Sequence, residues 1–344
     1  MISSSKKDFI IEYRPSSIRV IRVSSLATPL TIEAIEEVPL GDDASAVASA
    51  VRKLAGAKAN GYMNGICVVY PDRRVVRQMS LDTPKGTEAE FIFKTLRESL
   101  NTPDEISAHC LSPASGAPVD PTEFNKKEVI VCGIPNPDIV EVQKKMLEHA
   151  IYPSRVELGT VGIVGAIHDV LSWQGANAPT LFLEVEKDFS NAVIVGPKGI
   201  EMSRRIDSGA ADIAMALKEE LNLQDETAAE RLLGSKDFDF SGIARKILRR
   251  LMRDLQSSIG FYEVQTGQSV HWIHCSTRAN PMGWLEESVG DLLNLEPFTI
   301  DLSAWLKSKG VECGSCEDAF ERLELTWMGQ ISALCAFKNE EVAA

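Results

Sequence analysis

The chain has 344 residues, a formal net charge of −13 and seven cysteines. That length allows two or three domains, and the acidic balance argues against nonspecific nucleic-acid binding and direct adhesion to anionic lipid unless a local basic face overrides it. No apolar stretch approaches the roughly 18 residues a spanning helix needs; Met1–Phe9 lacks the apolar centre of a secretory signal, and scattered, odd-numbered cysteines suit free thiols in a reducing compartment, so a cytoplasmic location is expected.

In chain order, Met1–Lys7 is a polar start, and Phe9–Val23 reads as a hairpin whose first strand carries Glu12 before a polar turn, with a third strand expected over Leu30–Val38. Ala44–Ala57 predicts a helix, because Val47, Val51 and Leu54 recur at spacings of four and three and Asp42 or Asp43 can cap it. Gly65–Tyr70 is a short apolar run ending at Pro71, the pattern of a buried strand. From Arg73 to about Ile151 the texture is that of a smaller α+β unit. It has a strand over Val75–Leu81, a helix over Thr87–Leu100, a Pro/Gly/Ser-rich loop at Ser112–Thr122 expected to protrude, and a buried strand over Val129–Ile134. A helix begins at Pro137, with Ile139, Val142, Met146 and Leu147 on its apolar side. Thr160–Trp173 predicts a strongly apolar helix packed on a sheet of the first half.

Thr180–Asp207 reads as a three-stranded meander, with Leu181, Leu183 and Val185 alternating against Phe182, Glu184 and Glu186. Glu184 lies 172 residues after Glu12 in a related strand-turn-strand pattern, which suggests a duplicated two-lobed α/β protein. Ser208–Ser235 gives two helices broken near Asn222. Ser241–Ile259 is a helix with Ile247, Leu251 and Leu255 on one stripe and Arg245, Lys246, Arg249, Arg250 and Arg253 elsewhere, either a solvated face or an anion or partner site. A strand over Val270–His274, a turn at Arg278–Pro281, a helix over Gly283–Leu293, a strand over Phe298–Leu302 and an apolar helix over Leu325–Phe337 complete the chain. Cys313 and Cys316 have the spacing of zinc and redox sites, but no second such pair accompanies them and His271 and His274 point to opposite faces of a strand, so a plain loop is expected.

The second half combines Thr180–Val195, Arg-Arg-Ile-Asp-Ser-Gly at 204–209, an Ile-x3-Leu-x3-Leu-x-Leu helix over Ile213–Leu223, Ala-Ala-Glu-x-Leu-Leu at 228–233 and a long helix ending in Asp254–Tyr262. In that order these segments resemble the PilM family, actin-like cytoplasmic proteins of the type IV pilus assembly machine that are themselves similar to the cell-division protein FtsA. The resemblance implies an α/β, actin-like (ribonuclease H-like) fold of two lobes. Residues 1–70 and 154–178 would form the first lobe, 71–153 a small inserted α+β domain, and 179–344 the second lobe, with 210–239 as its outer part.

Actin-like ATPases hold nucleotide on three loops whose backbone approaches phosphate or adenosine closely, which favours glycine and small residues. The positions matching those loops are Glu12, Ser16 and Ser17 in the first, Glu184 and Ser190 in the second, and Ser276 and Thr277 in the third. Each departs from the family pattern. Arg14 and Pro15 replace the flexible donors of the first, Glu184, Glu186 and Asp188 crowd the second with carboxylates, and the third lacks glycine until Gly283. No cofactor and no catalytic residue are therefore expected, with Mg·ATP bound weakly or not at all. Two functional classes stay in play: a scaffold without efficient ATP hydrolysis, and an active ATPase with unusual phosphate loops. For the scaffold the resemblance implies a pilus or related type II secretion platform. A PilN-like inner-membrane protein would place its cytoplasmic tail in a groove between the first lobe and the inserted domain, with Val69, Ile92 and Ile130 as pocket residues. Other platform and motor proteins and self-association complete the expected partners, without nucleic acid or direct membrane insertion, so the chain would sit at the inner membrane through its partners.

Overall fold

The computed structural model describes residues 8–25, 30–82, 84–122, 128–278, 281–321 and 323–341; the polar start Met1–Lys7 and the loop positions Lys127, Ala279 and Asn280 lie outside them. The first lobe opens with β1 (Asp8–Tyr13), β2 (Ser17–Ser25) and β3 (Leu30–Pro39), followed by α1 (Ala44–Ala55) and β4 (Met63–Val69). The small domain contributes β5 (Val75–Ser80), α2 (Glu88–Leu100), β6 (Ile106–Leu111) and β7 (Glu128–Pro135). Then come α3 (Asn136–Glu148), β8 (Ile151–Leu158) and α4 (Gly159–Gln174). The second lobe starts with β9 (Thr180–Val185), β10 (Ser190–Gly196) and β11 (Gly199–Ile206). It continues through α5 (Ala210–Leu221), α6 (Glu226–Leu233), α7 (Ala244–Ile247), α8 (Arg249–Thr266), β12 (Trp272–Thr277), α9 (Leu285–Leu293) and β13 (Glu296–Pro297). The chain closes with α10 (Leu302–Ser308), β14 (Val311–Cys313), α11 (Glu317–Glu321) and α12 (Met328–Glu341).

The two large sheets repeat one topology. The order β3-β2-β1-β4-β8 in the first matches β11-β10-β9-β12-β13 in the second, each with an antiparallel meander and two parallel strands. Register extends the match to single residues: Glu12 lies opposite Val68 in the β1–β4 pair, and Glu184 opposite Ser276 in the β9–β12 pair. Side chains alternate across each strand, so each sheet feeds two cores. Ile10, Ile66 and Val68 of the first sheet and Phe182, Val193 and Val195 of the second meet Ile163, Ile167 and Val170 of α4 and Ile331 and Leu334 of α12 in one central core. On the outer faces, Phe9, Ile11 and Val69 pack under α1, and Leu181, Leu183 and Ile194 under the helices of the second lobe.

The structure corrects several expectations. Leu302 onward, expected in the second lobe, returns to the first: β14 extends the first sheet beyond β3, and α12 buries Met328, Ile331 and Leu334 in the central core. The amide of buried Gln330 donates to the carbonyls of Ile10 and Arg19 at 2.5 and 3.0 Å, tying that helix to β1 and β2. Helix α4, expected against the first lobe, packs on both sheets because it is apolar nearly all round. The strand expected over Phe298–Leu302 is not formed: β13 ends at Pro297, and Asp301 already caps α10 through a 2.9 Å bond from the Ala304 amide. The loop at Ser112–Thr122 reaches the second lobe instead of protruding freely: the Pro113 carbonyl accepts from the Ile200 amide at 3.3 Å.

Near the first turn, the Tyr13 hydroxyl lies 2.8 Å from His149 Nδ1. Burial, helped by the charge of Glu148, pushes the phenol up to about 12, and burial lowers the imidazole below its usual value. Neutral His149 accepts the Tyr13 proton. An unfolded chain protonates this histidine near pH 6.5, about its ordinary value, and the folded chain only below that. The stability it contributes is therefore complete above that pH and falls away as the pH drops through the folded value. Because the ring is only part-buried and the pair is screened by solvent, the loss is under about 1 kcal/mol. Urea midpoints compared at pH 7.5 and 5 are expected to fall less in His149→Phe than in the parent.

Candidate functional site

Between the two meanders, where the two Glu-bearing strands approach each other, the cleft is filled by side chains of the chain itself. Glu184 is fully buried, and Glu12, Glu186, Arg74 and Arg278 are each at most 6% exposed. Arg74 pairs with Glu184 at 2.7 Å and with Glu186, and Arg278 pairs with Glu184 and, at 3.1 Å, with Glu186. The remaining bonding capacity of Glu184 goes to the Thr160 hydroxyl at 2.8 Å and the Asn191 amide at 2.9 Å. Arg74 donates Nε to Thr160 Oγ1 at 2.8 Å and Nη1 to the Pro71 carbonyl at 2.9 Å. Carboxylates brought into a protein interior are tolerated only with this degree of pairing.

Tyr70 closes the cluster. Its hydroxyl donates to Glu12 at 2.7 Å, and its ring lies under the Arg278 guanidinium, 3.6 Å from the ring centroid. Burial and the Glu12 charge drive its pKa upward, so it remains a neutral donor. Burial and the nearby Arg74 charge lower Arg278 to about 9, which still leaves it cationic at neutral pH. Two glycines make room for the ring: a Cβ on Gly159 would sit 2.0 Å from Tyr70 Cζ, and one on Gly329 2.4 Å from the Tyr70 oxygen. Tyr70 and Arg278 are counterparts in the repeat, each two residues beyond the strand position that faces the lobe's glutamate. Each therefore neutralises or bonds its own glutamate and stacks on the other across the cleft.

The residues matching nucleotide loops are drawn into internal bonds. Ser17 donates to Glu37 at 2.6 Å and Ser190 to the Ser208 carbonyl at 2.6 Å. Ser276 accepts from Arg278 at 2.9 Å and Thr277 from the Met282 amide at 3.1 Å. Ser16 alone of the serines and threonines so assigned is exposed. Glu186, one of the carboxylates that crowd the second loop, has two guanidinium partners, and Arg278, placed by its sequence in a turn, is a buried counter-ion. These residues do not fit Mg·ATP: seating a polyphosphate would displace Tyr70 and Arg278 and leave three carboxylates facing it. Arg74, Tyr70 and Thr160 escaped sequence reasoning because only the fold brings them to Glu184 and Glu12. Among the described residues no group of three or more His, Cys, Asp or Glu is placed to hold a metal ion. Cys313 and Cys316 lie with their sulfurs 3.0 Å apart beside β3.

A second feature is open. A cavity of about 1440 Å³ lies between the first lobe, the small domain and α4. Strand β8 is the last strand of its sheet on this side, and four consecutive residues of it, Arg155–Leu158, line the space. Ser107, His109 and Leu111 of β6 and Ile130, Cys132 and Ile134 of β7 present one face of the small sheet to it; Val161 and Gly165 of α4 form the other wall. Of the three expected pocket residues only Ile130 belongs here. Val69 points to the opposite face of its sheet, against Phe9 and Ile11, and Ile92 packs with Leu96 and Val131 behind the small sheet. Strand β4 itself stays off the cavity because β8 pairs along its edge, while Val76 of β5 lines it. Four wall charges are paired, Lys309 with Asp169 at 2.6 Å and Arg155 with Glu157 at 2.8 Å, and Lys307 also lines a largely apolar space.

No protein-family model and no curated protein sequence matches the chain. Among solved structures it is similar to the PilM–PilN type IV pilus biogenesis complex, with a TM-score of 0.67 at 15% identity over 97% of this chain and 99% of that one. It is more distantly similar to a Bacteroides thetaiotaomicron protein of actin-like ATPase fold and unknown function, with a TM-score of 0.44 at 10% identity, covering 89% of this chain and 99% of that one. The cytoplasmic domain of EpsL, an inner-membrane component of the Vibrio cholerae type II secretion system, gives 0.43 at 9% identity over 96% and 95%. The fold is PilM-like.

Removing one cation from the cluster leaves buried carboxylates unpaired, which costs roughly 3–5 kcal/mol. Arg278→Met and Arg74→Met are each expected to lose that much in urea unfolding. Adding Glu184→Gln to Arg278→Met is expected to recover part of the loss, a coupling that a double-mutant cycle measures directly.

Proposed function

We propose that this chain is a scaffold of a type IV pilus or related type II secretion assembly platform, which holds the extended cytoplasmic tail of a PilN-like inner-membrane protein and does not hydrolyse ATP efficiently. The observation that carries the reading is the contrast between the two features above. The cleft where an actin-like ATPase would hold nucleotide is filled by Arg74, Arg278 and Tyr70, while the groove beside β8 is open and apolar. The free edge of β8 offers unpaired backbone groups to an extended peptide, and the small-domain face and α4 offer pockets for alternate side chains. The named complex with the similar fold pairs PilM with PilN, which supports a partner of that kind. No helix among the described residues is long and apolar enough to cross a membrane. In this reading the chain is cytoplasmic and reaches the inner membrane by holding a tethered tail.

Gly165 on α4 supplies the test, because it lines the groove and a Cβ there meets nothing within 4 Å. Gly165→Trp is expected to fold with an unchanged melting temperature and to lose capture of the partner's tail peptide by tenfold or more, read by calorimetry. Equal capture by both proteins would place the partner elsewhere. Mg·ATP at about 5 mM is expected to leave the melting temperature unmoved, whereas a tight ligand at a hundred times its Kd would add about 2.7 kcal/mol. A clear upward shift, or turnover that stops in Glu12→Ala, would restore the ATPase reading.

A further inference from the structure

The long helix of the second lobe carries a basic face on an acidic chain. Arg245, Arg249, Arg250 and Arg253, with Gln256, line a cavity of about 650 Å³ floored by Met252 and Leu292. Helices α7 and α8 run on through one turn, with the Leu248 amide bonded to Ala244 O at 2.9 Å and the Met252 amide to Leu248 O at 2.8 Å, so these arginines share one ladder. Three cations on this face have carboxylate partners: Lys246 with Glu220, Arg250 with Asp212 and Arg253 with Asp254, at 2.5, 2.6 and 3.3 Å. Arg245 and Arg249 have none among the described residues. Acidic residues are not scarce, since the chain has 49 of them against 36 basic ones. Like charges at a spacing of four on a helix repel by a few tenths of a kcal/mol per pair, so this arrangement is disfavoured until an anion joins it.

The same exposed stripe turns apolar one to two turns later. Stepping by four from Arg245 through Arg249, Arg253 and Ser257 reaches Phe261, with Val264 close by; these two side chains are 60% and 87% exposed. At 1.5 Å per residue, Arg249 and Phe261 are about 18 Å apart. We infer that this stripe docks an acidic segment of a partner protein, whose carboxylates enter the arginine cavity and whose apolar side chain covers Phe261 and Val264. Guanidinium groups match carboxylates two bonds at a time, which suits a peptide bearing aspartates or glutamates on one side. The hollow formed by the arginines and the neighbouring apolar pair favour a shaped peptide over a flat lipid surface, which the net charge of −13 also repels. The inference does not depend on the groove beside β8, which lies in the other half of the molecule.

The test uses the full chain and a fluorescent helical peptide of about 18 residues, with glutamates at spacings of four and leucines one turn beyond. Anisotropy is expected to show binding that weakens with salt. Arg245→Glu/Arg249→Glu is expected to weaken it roughly tenfold or more, and Phe261→Ser/Val264→Ser by several-fold, with melting temperatures unchanged because all four side chains are exposed. Absence of binding to the parent chain, or equal binding by the charge-reversed chain, overturns the inference. So does co-sedimentation with phosphatidylglycerol vesicles that the charge reversal abolishes, which would make the stripe a membrane face. Concentration-dependent self-association lost in the same variant would overturn it in favour of a second copy of this chain.

Discussion

The ion-pair cluster at the centre of the molecule is the constraint on which the rest depends. Two lobes that each bring a glutamate to a common cleft must balance that charge, and here the balance comes from within. Arg74 arrives from the start of the small domain and Arg278 from the end of β12, so the cluster links both lobes and the insertion in one buried network. Such a network adds little net stability compared with an apolar core of equal volume, but it is costly to break, and its planar guanidiniums fit only one relative placement of the strands. Its contribution is therefore to the fixed setting of the lobes. With the cleft held shut, the open surfaces of the molecule lie at its periphery.

The internal repeat explains why the cluster can be so compact. Equivalent positions in the two sheets supply unlike residues, tyrosine in one and arginine in the other, and their difference lets them stack face to face instead of repelling. Two arginines at that place would have crowded like charges. Two tyrosines would have left the glutamate of the second lobe without the counter-ion that Arg278 now provides.

Much of the fold was legible in the sequence because its strands and helices bury whole faces and so carry clear periods. The meander at Thr180–Asp207 and the apolar helix after Thr160 stand where their patterns put them. Strands β6 and β8 were hidden for a physical reason: the first alternates small and polar residues, and the second carries Pro153 and faces a groove on one edge, so neither has the apolar signature of a central strand. At the site, the surplus of carboxylates on the second loop was readable, and its compensation was not, because Arg74 lies 110 positions before Glu184 and nothing local marks it as a counter-ion. Which apolar residues face the groove was not legible: Ile130 does, whereas Val69 and Ile92 turn to other cores. Ile130 and Val131 are equally apolar, and only the small sheet's orientation decides which one sees the groove and which packs against α2.

The return of β14 and α12 to the first lobe has a consequence for biosynthesis. On the ribosome β1 to β8 emerge well before β14 and α12, so the first sheet lacks its outer strand and the helix that covers its inner face until those two elements are made. Strands β9 to β13 and the helices between them can assemble meanwhile, since they are contiguous in the chain. The N-terminal half must then wait with an apolar face and the β3 edge uncovered, the condition under which nascent chains attract chaperones or each other. Loss of β14 and α12 alone would leave the earlier-made first sheet unfinished, so a chain that stops just before them would be as damaged as one that stops near the middle of the second lobe.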